Sequence, residues 1–506
     1  MTAPDHTVDE DGDRFDELEV GLDSGAEEGV ALPWSLVWQR RVSQRVADGP
    51  KGPWIVLFAS LLGVFTAAFT ITVLTVSLAD VADDLDSTAG TLTWAVTGPV
   101  LAMAVLGPVA GKLADRIGAR TVYLWSLVGV AVFAVLCAVA WDATSLIVAR
   151  FGGAALGAAA GPAALAMINR SFPRERRAQA LGYWSLVIAG APVLGVMIGG
   201  PLVDAASWRM IFVLQAPIAV AGVVIGFLVL PTVPRGPREP FDVAGSALLA
   251  IGVGSILVAL NRGSTAGWSN PLVLGGFLLG PVLLAAFVVV ELRTPHPLLP
   301  MPWFRQRSFS FAMGALFFAQ FTYMGGFILT PLLLQEVLGY SVSRTGLVSI
   351  ARPLAYSVFG PLAGWLVVRR GERTVGAAGG LALAASMVGL AMITADTGVW
   401  WIEGSLVLSG IGMGAMTPSM TASVANSVDA ADLGVASAAS QTMGQMGTVA
   451  GMQILLAVQS TVGAESDAGS YSVAYMVACG TALASAVAAG LVRAGRPAEV
   501  AVATAR

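Results

Sequence analysis

The sequence predicts an all-α integral membrane protein with fourteen transmembrane helices: two parallel six-helix halves with two helices inserted between them. Three observations carry the prediction. Of 506 residues, 56% are apolar and 12% charged, against about 45–50% and about 25% in a soluble domain. The apolar surplus gathers into runs such as 53–79 and 309–334, longer than the roughly 20 residues a spanning helix needs. Basic residues fall on alternate sides of those runs. Finally, a segment of 16 residues recurs 253 positions later.

Residues 1–32 carry eleven acidic residues against Arg14 alone, which reads as a disordered cytoplasmic tail. A secretory signal would instead begin basic and turn apolar within the first residues. The net charge of −4 belongs to this tail, and the rest of the chain is net basic. Residues 33–52 form a basic juxtamembrane segment. Trp34, Val37, Trp38, Val42 and Val46 share one helical face and Arg40, Arg41 and Arg45 the other, the pattern of an amphipathic interfacial helix or of an ordinary basic linker. The N-terminal six-helix half occupies 53–230, with runs at 53–79, 91–110, 121–141, 145–168, 179–202 and 210–230. A linker at 231–308 holds the inserted helices 243–260 and 271–290. The C-terminal half, 309–494, has runs at 309–334, 345–368, 374–394, 400–424, 434–458 and 470–492, and 495–506 form a second cytoplasmic tail.

With both termini in the cytoplasm, 23 of the 28 lysines and arginines lie on the cytoplasmic side, as the positive-inside rule requires. Arg209, Arg262 and Arg344 lie outside, and Arg150 and Arg352 fall within spans. The repeat aligns Gly107–Val122 with Gly360–Val375 at 10 identical positions of 16. Both copies follow an outside-to-inside helix, so helices 1–6 match 9–14 in the same orientation. Parallel halves around a midplane site are a transporter architecture.

Cys137 and Cys479 lie in apolar runs, and His6 and His296 in the tail and a loop. That excludes a disulfide scaffold and a His/Cys metal centre, and no cofactor is expected. The chain has no Gly-Lys-Ser/Thr phosphate loop and no Gly-x-Ser-x-Gly elbow, so ATP-driven pumping and enzyme chemistry are not expected.

The loop after helix 2, Gly111-Lys-Leu-Ala-Asp115-Arg116-Ile-Gly118-Ala-Arg120, resembles motif A of the major facilitator superfamily. Its glycines suit a tight turn, Asp115 suits a helix N-terminus or basic side chains, and the arginines suit the cytoplasmic face. The second copy has Val368 in place of the acid. Helix 4 carries Arg150 ahead of Gly153, Gly157 and Gly161, similar to motif B. An arginine there costs at least about 2.5–3.5 kcal/mol unless solvated or paired, so it should face a cavity or a partner, for function or for a structural bond. Helix 5 carries Gly182, Gly190, Pro192, Gly195, Gly199 and Gly200, a partial match to the antiporter motif C. Close helix packing explains Gly195 and Gly199 equally well.

Together with Trp208-Arg209 at the start of helix 6, these motifs resemble the fourteen-helix drug:proton antiporters of the EmrB/QacA type. The resemblance implies the major facilitator fold and a cavity between halves that open alternately inward and outward. It implies export of hydrophobic or amphipathic compounds from a multi-pass position in the cytoplasmic membrane. Its partners would be a small amphipathic substrate, protons and the bilayer, with no nucleic acid, and the protein would act as a monomer.

That branch carries an aspartate in helix 1 where this chain has Thr70, and all 32 acidic residues lie in tails, in loops or within about a turn of a helix end. Threonine does not titrate, so an uncoupled or differently coupled carrier of lipids or anionic amphiphiles is the alternative. The rim acids Asp80, Glu336 and Glu403 are expected to pair with Arg150 or Arg352 as a coupling or gating device. Thr66, Thr70, Gln320, Tyr323, Thr330, Gln441 and Gln445 are candidate cavity-lining groups, each equally explained by a bond to a neighbouring helix. Met416, with Met413 and Met420, suits an adaptable ligand surface or ordinary packing.

Overall fold

The computed structural model describes residues 49–493 except 50, 77, 88, 93, 232–241, 296, 298 and 463–467. The acidic tail, most of the juxtamembrane segment and the C-terminal tail lie outside the described residues. Every regular element described is helical. The N-terminal half comprises α1 (Gly52–Val76), α2 (Trp94–Ile117), α3 (Ala119–Ala138), α4 (Ala143–Ser171, with a turn at 158–159), α5 (Arg177–Ala205) and α6 (Met210–Val229). The inserted pair is α7 (Val243–Ala266) and α8 (Pro271–Glu291). The C-terminal half comprises α9 (Arg307–Glu336), α10 (Ala351–Arg370), α11 (Glu372–Ala391), α12 (Val399–Asn426), α13 (Leu433–Val462) and α14 (Ala468–Leu491). Among the described residues nine helices are long and apolar enough to cross a membrane, ten if the bent α2 counts as one span.

Local chemistry sets the ends. Asp142 caps α4 by accepting from Ser145 N at 2.7 Å, while Ser145 Oγ accepts from Asp142 N at 3.1 Å, a reciprocal capping box. Asn270 caps α8 through Leu272 N at 2.9 Å, with Pro271 in the first turn. Gly118 and Gly371, equivalent positions of the repeat, have φ of 100° and 83°, a region that favours glycine, and each separates two helices without a loop.

This corrects the reading of motif A as a loop. Helix α2 runs on through Gly111 and Asp115 to Ile117, and the turn is Gly118 alone. The tenth predicted run likewise begins as a short helix, Val342–Ser349, that passes through Ile350 into α10.

Small residues let the halves meet along two symmetry-related seams, α2 with α13 and α5 with α10, supplemented by α5 with α12 and α4 with α13. A Cβ added at Gly111 would lie 2.3 Å from Ala438 Cβ and 2.8 Å from the Gly434 carbonyl. One at Gly182 would lie 2.5 Å from the Gly360 carbonyl, and one at Gly364 2.4 Å from that of Ala178. These backbone-to-backbone approaches lie toward the end that carries Arg116, Arg170 and Arg369, called the basic end below. A buried cluster spans the halves there, with Ala163, Leu165 and Leu181 on one side and Ala363, Val367 and Ala422 on the other.

Candidate functional site

The basic end of the seam is held by two polar latches. In the first, the Asp115 carboxylate accepts from Gly434 N at 3.1 Å and Val435 N at 2.8 Å, first-turn amides of α13. A carboxylate there satisfies orphan helix donors and meets the positive end of the helix dipole. Arg170, at the end of α4, adds an ion pair to Asp115 at 2.7 Å, and its Nε donates to the Ala430 carbonyl at 3.1 Å. One carboxylate thus ties α2 and α4 of the first half to α13 of the second.

The second latch is built on Arg177 at the start of α5. Its Nη1 donates to the Ala425 carbonyl and to Asn426 Oδ1, both at 2.9 Å, and its Nε to the Asn169 carbonyl at 2.8 Å. Asn426 Nδ2 in turn donates to Glu372 at 2.7 Å. Sequence reasoning took Val368 as the loss of the second acid and did not single out Glu372, four residues further on. The signal available was the acid beside the second copy of the motif.

Above the first latch the seam becomes polar but uncharged. Gln441 stands eight residues into α13, about 12 Å at 1.5 Å per residue. It fills the space left by Gly161 of α4, where a Cβ would meet Gln441 Oε1 at 2.7 Å. Thr442 faces Gly107 of α2, and Gln320 of α9 faces Gly444 of α13. Gln441 Nε2, Thr442 Oγ1 and Gln320 Oε1 are buried with no hydrogen-bond partner among the described residues. Buried polar atoms left this way cost about 1–3 kcal/mol each; Gln441 and Thr442 stand where the halves meet, and Gln320 lies against α13 within the C-terminal half.

The two in-span arginines sit inside their own halves. Arg150, 8% exposed, donates from Nε to the Ala95 carbonyl at 3.0 Å and lies 5.8 Å from the Phe212 ring centre. It lines a cavity of about 40 Å³ with Pro99, Cys137, Phe212 and Gln215, room for two or three waters. Arg352, 1% exposed, donates from Nη1 to the Tyr323 carbonyl at 3.4 Å.

Comparison with known proteins bears on this arrangement. The family model of the Major Facilitator Superfamily matches residues 60–452 and 311–506. The chain belongs to the major facilitator superfamily. Its relatives there include the methylenomycin A resistance protein of Streptomyces coelicolor, 31% identical over 80% of this chain and 85% of that one. The tetracenomycin C resistance and export protein of Streptomyces glaucescens is 29% identical over 82% and 77%. Multidrug export protein EmrB of Escherichia coli K12 is 30% identical over 61% of each chain. Among solved structures, the human organic anion transporter MFSD10 superposes with a TM-score of 0.62 at 15% identity, over 86% of this chain and all of that one. The proton:xylose symporter XylE gives 0.61 at 15%, over 86% and 94%. These two establish the fold. The superfamily is one of transporters, so this is a multi-pass membrane transport protein.

The remaining expected residues of this superfamily member fall as follows. Arg116 is exposed, while Arg120 is buried and donates to the Phe227 carbonyl at 2.6 Å. Gly190 of α5 faces Ser357 of α10, whose Oγ would lie 2.9 Å from an added Cβ, and Pro192 is half-buried within α5. The side chains of Thr70 and Asp80 and the surroundings of Gly195, Gly199 and Gly200 lie outside the described residues.

Among the described residues, the expected pairing of Glu336 or Glu403 with Arg352 is not formed. Glu336, at the end of α9 away from the basic end, accepts from the Tyr471 hydroxyl of α14, and Arg352 turns to the α9 backbone with no carboxylate paired to it among the described residues. Glu403 is half-buried in the first turns of α12. Three expected cavity-lining residues are packed within one half instead. Thr66 bonds back to the Leu62 carbonyl at 2.9 Å, Tyr323 stacks edge-on to Tyr356, and Met416, fully buried, accepts weakly from Ser485. Thr330 bonds to the Gly326 carbonyl at 2.7 Å, while Gln320, Gln441 and Gln445 are half-buried, Gln441 at the seam against Gly161 of α4.

Proposed function

We propose that this transporter exports hydrophobic or amphipathic small molecules across the cytoplasmic membrane in exchange for protons. On this reading it acts as a monomer with fourteen spans and both termini cytoplasmic, its halves rocking about the two seams. The observation that carries it is the Asp115 latch, a charge-assisted bond between bodies that must part before the basic end can open. With the latches closed, the molecule is shut toward the cytoplasm, the release stage of an export cycle. The unpartnered Gln320, Gln441 and Thr442 supply polar groups without fixed charge, which suits varied and mostly apolar cargo. The names of its relatives, resistance and export proteins, support the same direction of transport. Thr70 in place of the helix-1 acid favours a second reading, a carrier of lipids or anionic amphiphiles without proton coupling.

Everted vesicles with an acidified lumen separate the two. Proton antiport requires the lumen to turn alkaline on addition of a neutral or cationic drug. Accumulation of substrate with no proton movement would reject antiport in favour of the second reading.

A further inference from the structure

Arg352 is buried in the C-terminal half among α9, α11 and α14. Its guanidinium carbon stands 5.7 Å from the Tyr323 ring centre. Gly326 gives it room, because a Cβ there would come within 3.2 Å of Nη1, 3.3 Å of Nη2 and 3.4 Å of Met387. Nη1 has the Tyr323 carbonyl, but Nε and Nη2 have no hydrogen-bond partner among the described residues. Those two nitrogens form one edge of the guanidinium, with two parallel N–H groups spaced like the two oxygens of a carboxylate. An arginine stays charged when buried, and a buried cation without a counter-charge costs several kcal/mol. Among the described residues no acid pairs with it, and Glu336 is engaged by Tyr471.

A second set of donors stands on the same element. Ile350 keeps helical geometry, with its N bonded to the Gly346 carbonyl at 3.1 Å and its carbonyl to Leu354 N at 3.1 Å. Thr345, Ser349 and Arg352 are therefore spaced i, i+4, i+7 on one helical face. The hydroxyl oxygens of Thr345 and Ser349 are also buried with no partner. These unpartnered polar groups form a stripe from the start of this helix to the Nε/Nη2 edge of Arg352.

We propose that the Nε/Nη2 edge of Arg352 binds a carboxylate from outside the chain, either a free small carboxylate or the head group of a transported amphiphile. Only the second source rests on the export reading.

The test is thermal unfolding of the purified full-length protein in detergent, titrated with sodium acetate or sodium benzoate at ionic strength held constant with sodium chloride. Both carboxylates should raise the midpoint saturably. Arg352→Lys keeps the charge but loses the fork and should weaken the response at least tenfold, and Ser349→Ala, which removes an unpartnered hydroxyl, at least threefold. No stabilisation beyond chloride, or an Arg352→Lys titration like the wild type, overturns the proposal. Should Arg352→Lys not be recovered folded, an unchanged titration in Ser349→Ala overturns it instead. Uptake of labelled benzoate into proteoliposomes, competed by acetate, identifies the amphiphile head group as the source. Binding without uptake identifies the free carboxylate. A failed export reading leaves these shifts intact and abolishes only drug transport.

Discussion

Gly182→Ala probes the seam with one methyl group. The added Cβ would sit 2.5 Å from the Gly360 carbonyl and 2.9 Å from Pro361 Cα. Both are backbone atoms of α10, so neither can swing aside. Restoring an ordinary contact of 3.4 Å to that carbonyl requires α5 and α10 to part by about 0.9 Å. Overpacking of this kind costs about 1–3 kcal/mol, and it is borne only while the halves are closed at the basic end. The ratio of closed to open molecules should fall by about 5- to 150-fold. Spin labels at Arg116 and Arg369, both exposed at the basic end of opposite halves, report that opening as a longer distance in nanodiscs. The labels require the buried Cys137 and Cys479 replaced by serine. Gly314→Ala is the control, since nothing lies within 4 Å of its added Cβ. A Gly182→Ala distance distribution equal to wild type, or an equal shift in Gly314→Ala, would refute the reasoning.

Three further outcomes are expected. Asp115→Asn leaves one oxygen where two accept from α13, and removes the ion pair to Arg170; the initial rate of dye efflux should fall at least tenfold, by loss of charge-assisted bonds worth about 1.5–3 kcal/mol each. At the end of the N-terminal half away from the basic end, hydrogen bonds from Arg209 and then Trp208 hold the Asp84 carboxyl below its ordinary value of 3.8. A carboxyl lowered by folding contributes stability above that value and loses it as pH falls through its folded value. The gap in thermal midpoint between wild type and Asp84→Asn should therefore be level down to about pH 5 and close below it. Deletion of residues 1–32 should leave membrane insertion near normal in a protease-protection assay, because Arg40, Arg41, Arg45 and Lys51 remain to orient the first helix.

Periodicity and charge made the helices and the parallel halves legible, because a bilayer imposes length and polarity on every span. Backbone geometry at the helix ends was less so. Motif A reads as a turn because it holds two glycines, yet Gly111 serves close approach to α13 and only Gly118 serves the turn. Nothing local in the sequence separates a glycine kept for contact from one kept for φ. Side-chain partners depend on which helix lies across the seam, a long-range fact. The pairing of rim acids with Arg352 followed from matching depths, but depth does not fix direction, and Arg352 points into its own half. The Glu372–Asn426–Arg177 cluster escaped for the same reason, since its members lie 54 and 249 residues apart in sequence.

The positions of the buried carboxylates bear on coupling. Asp115 accepts across the seam from the first amides of α13, whereas Glu372 accepts from Asn426 of its own half and reaches the other half only through Asn426 and Arg177. On the export reading the latches act as gates rather than as coupling groups. The distinction is measurable with Asp115→Asn. As a gate residue it should slow transport while protons moved per drug stay at the wild-type ratio, and a change in that ratio would return Asp115 to the coupling path.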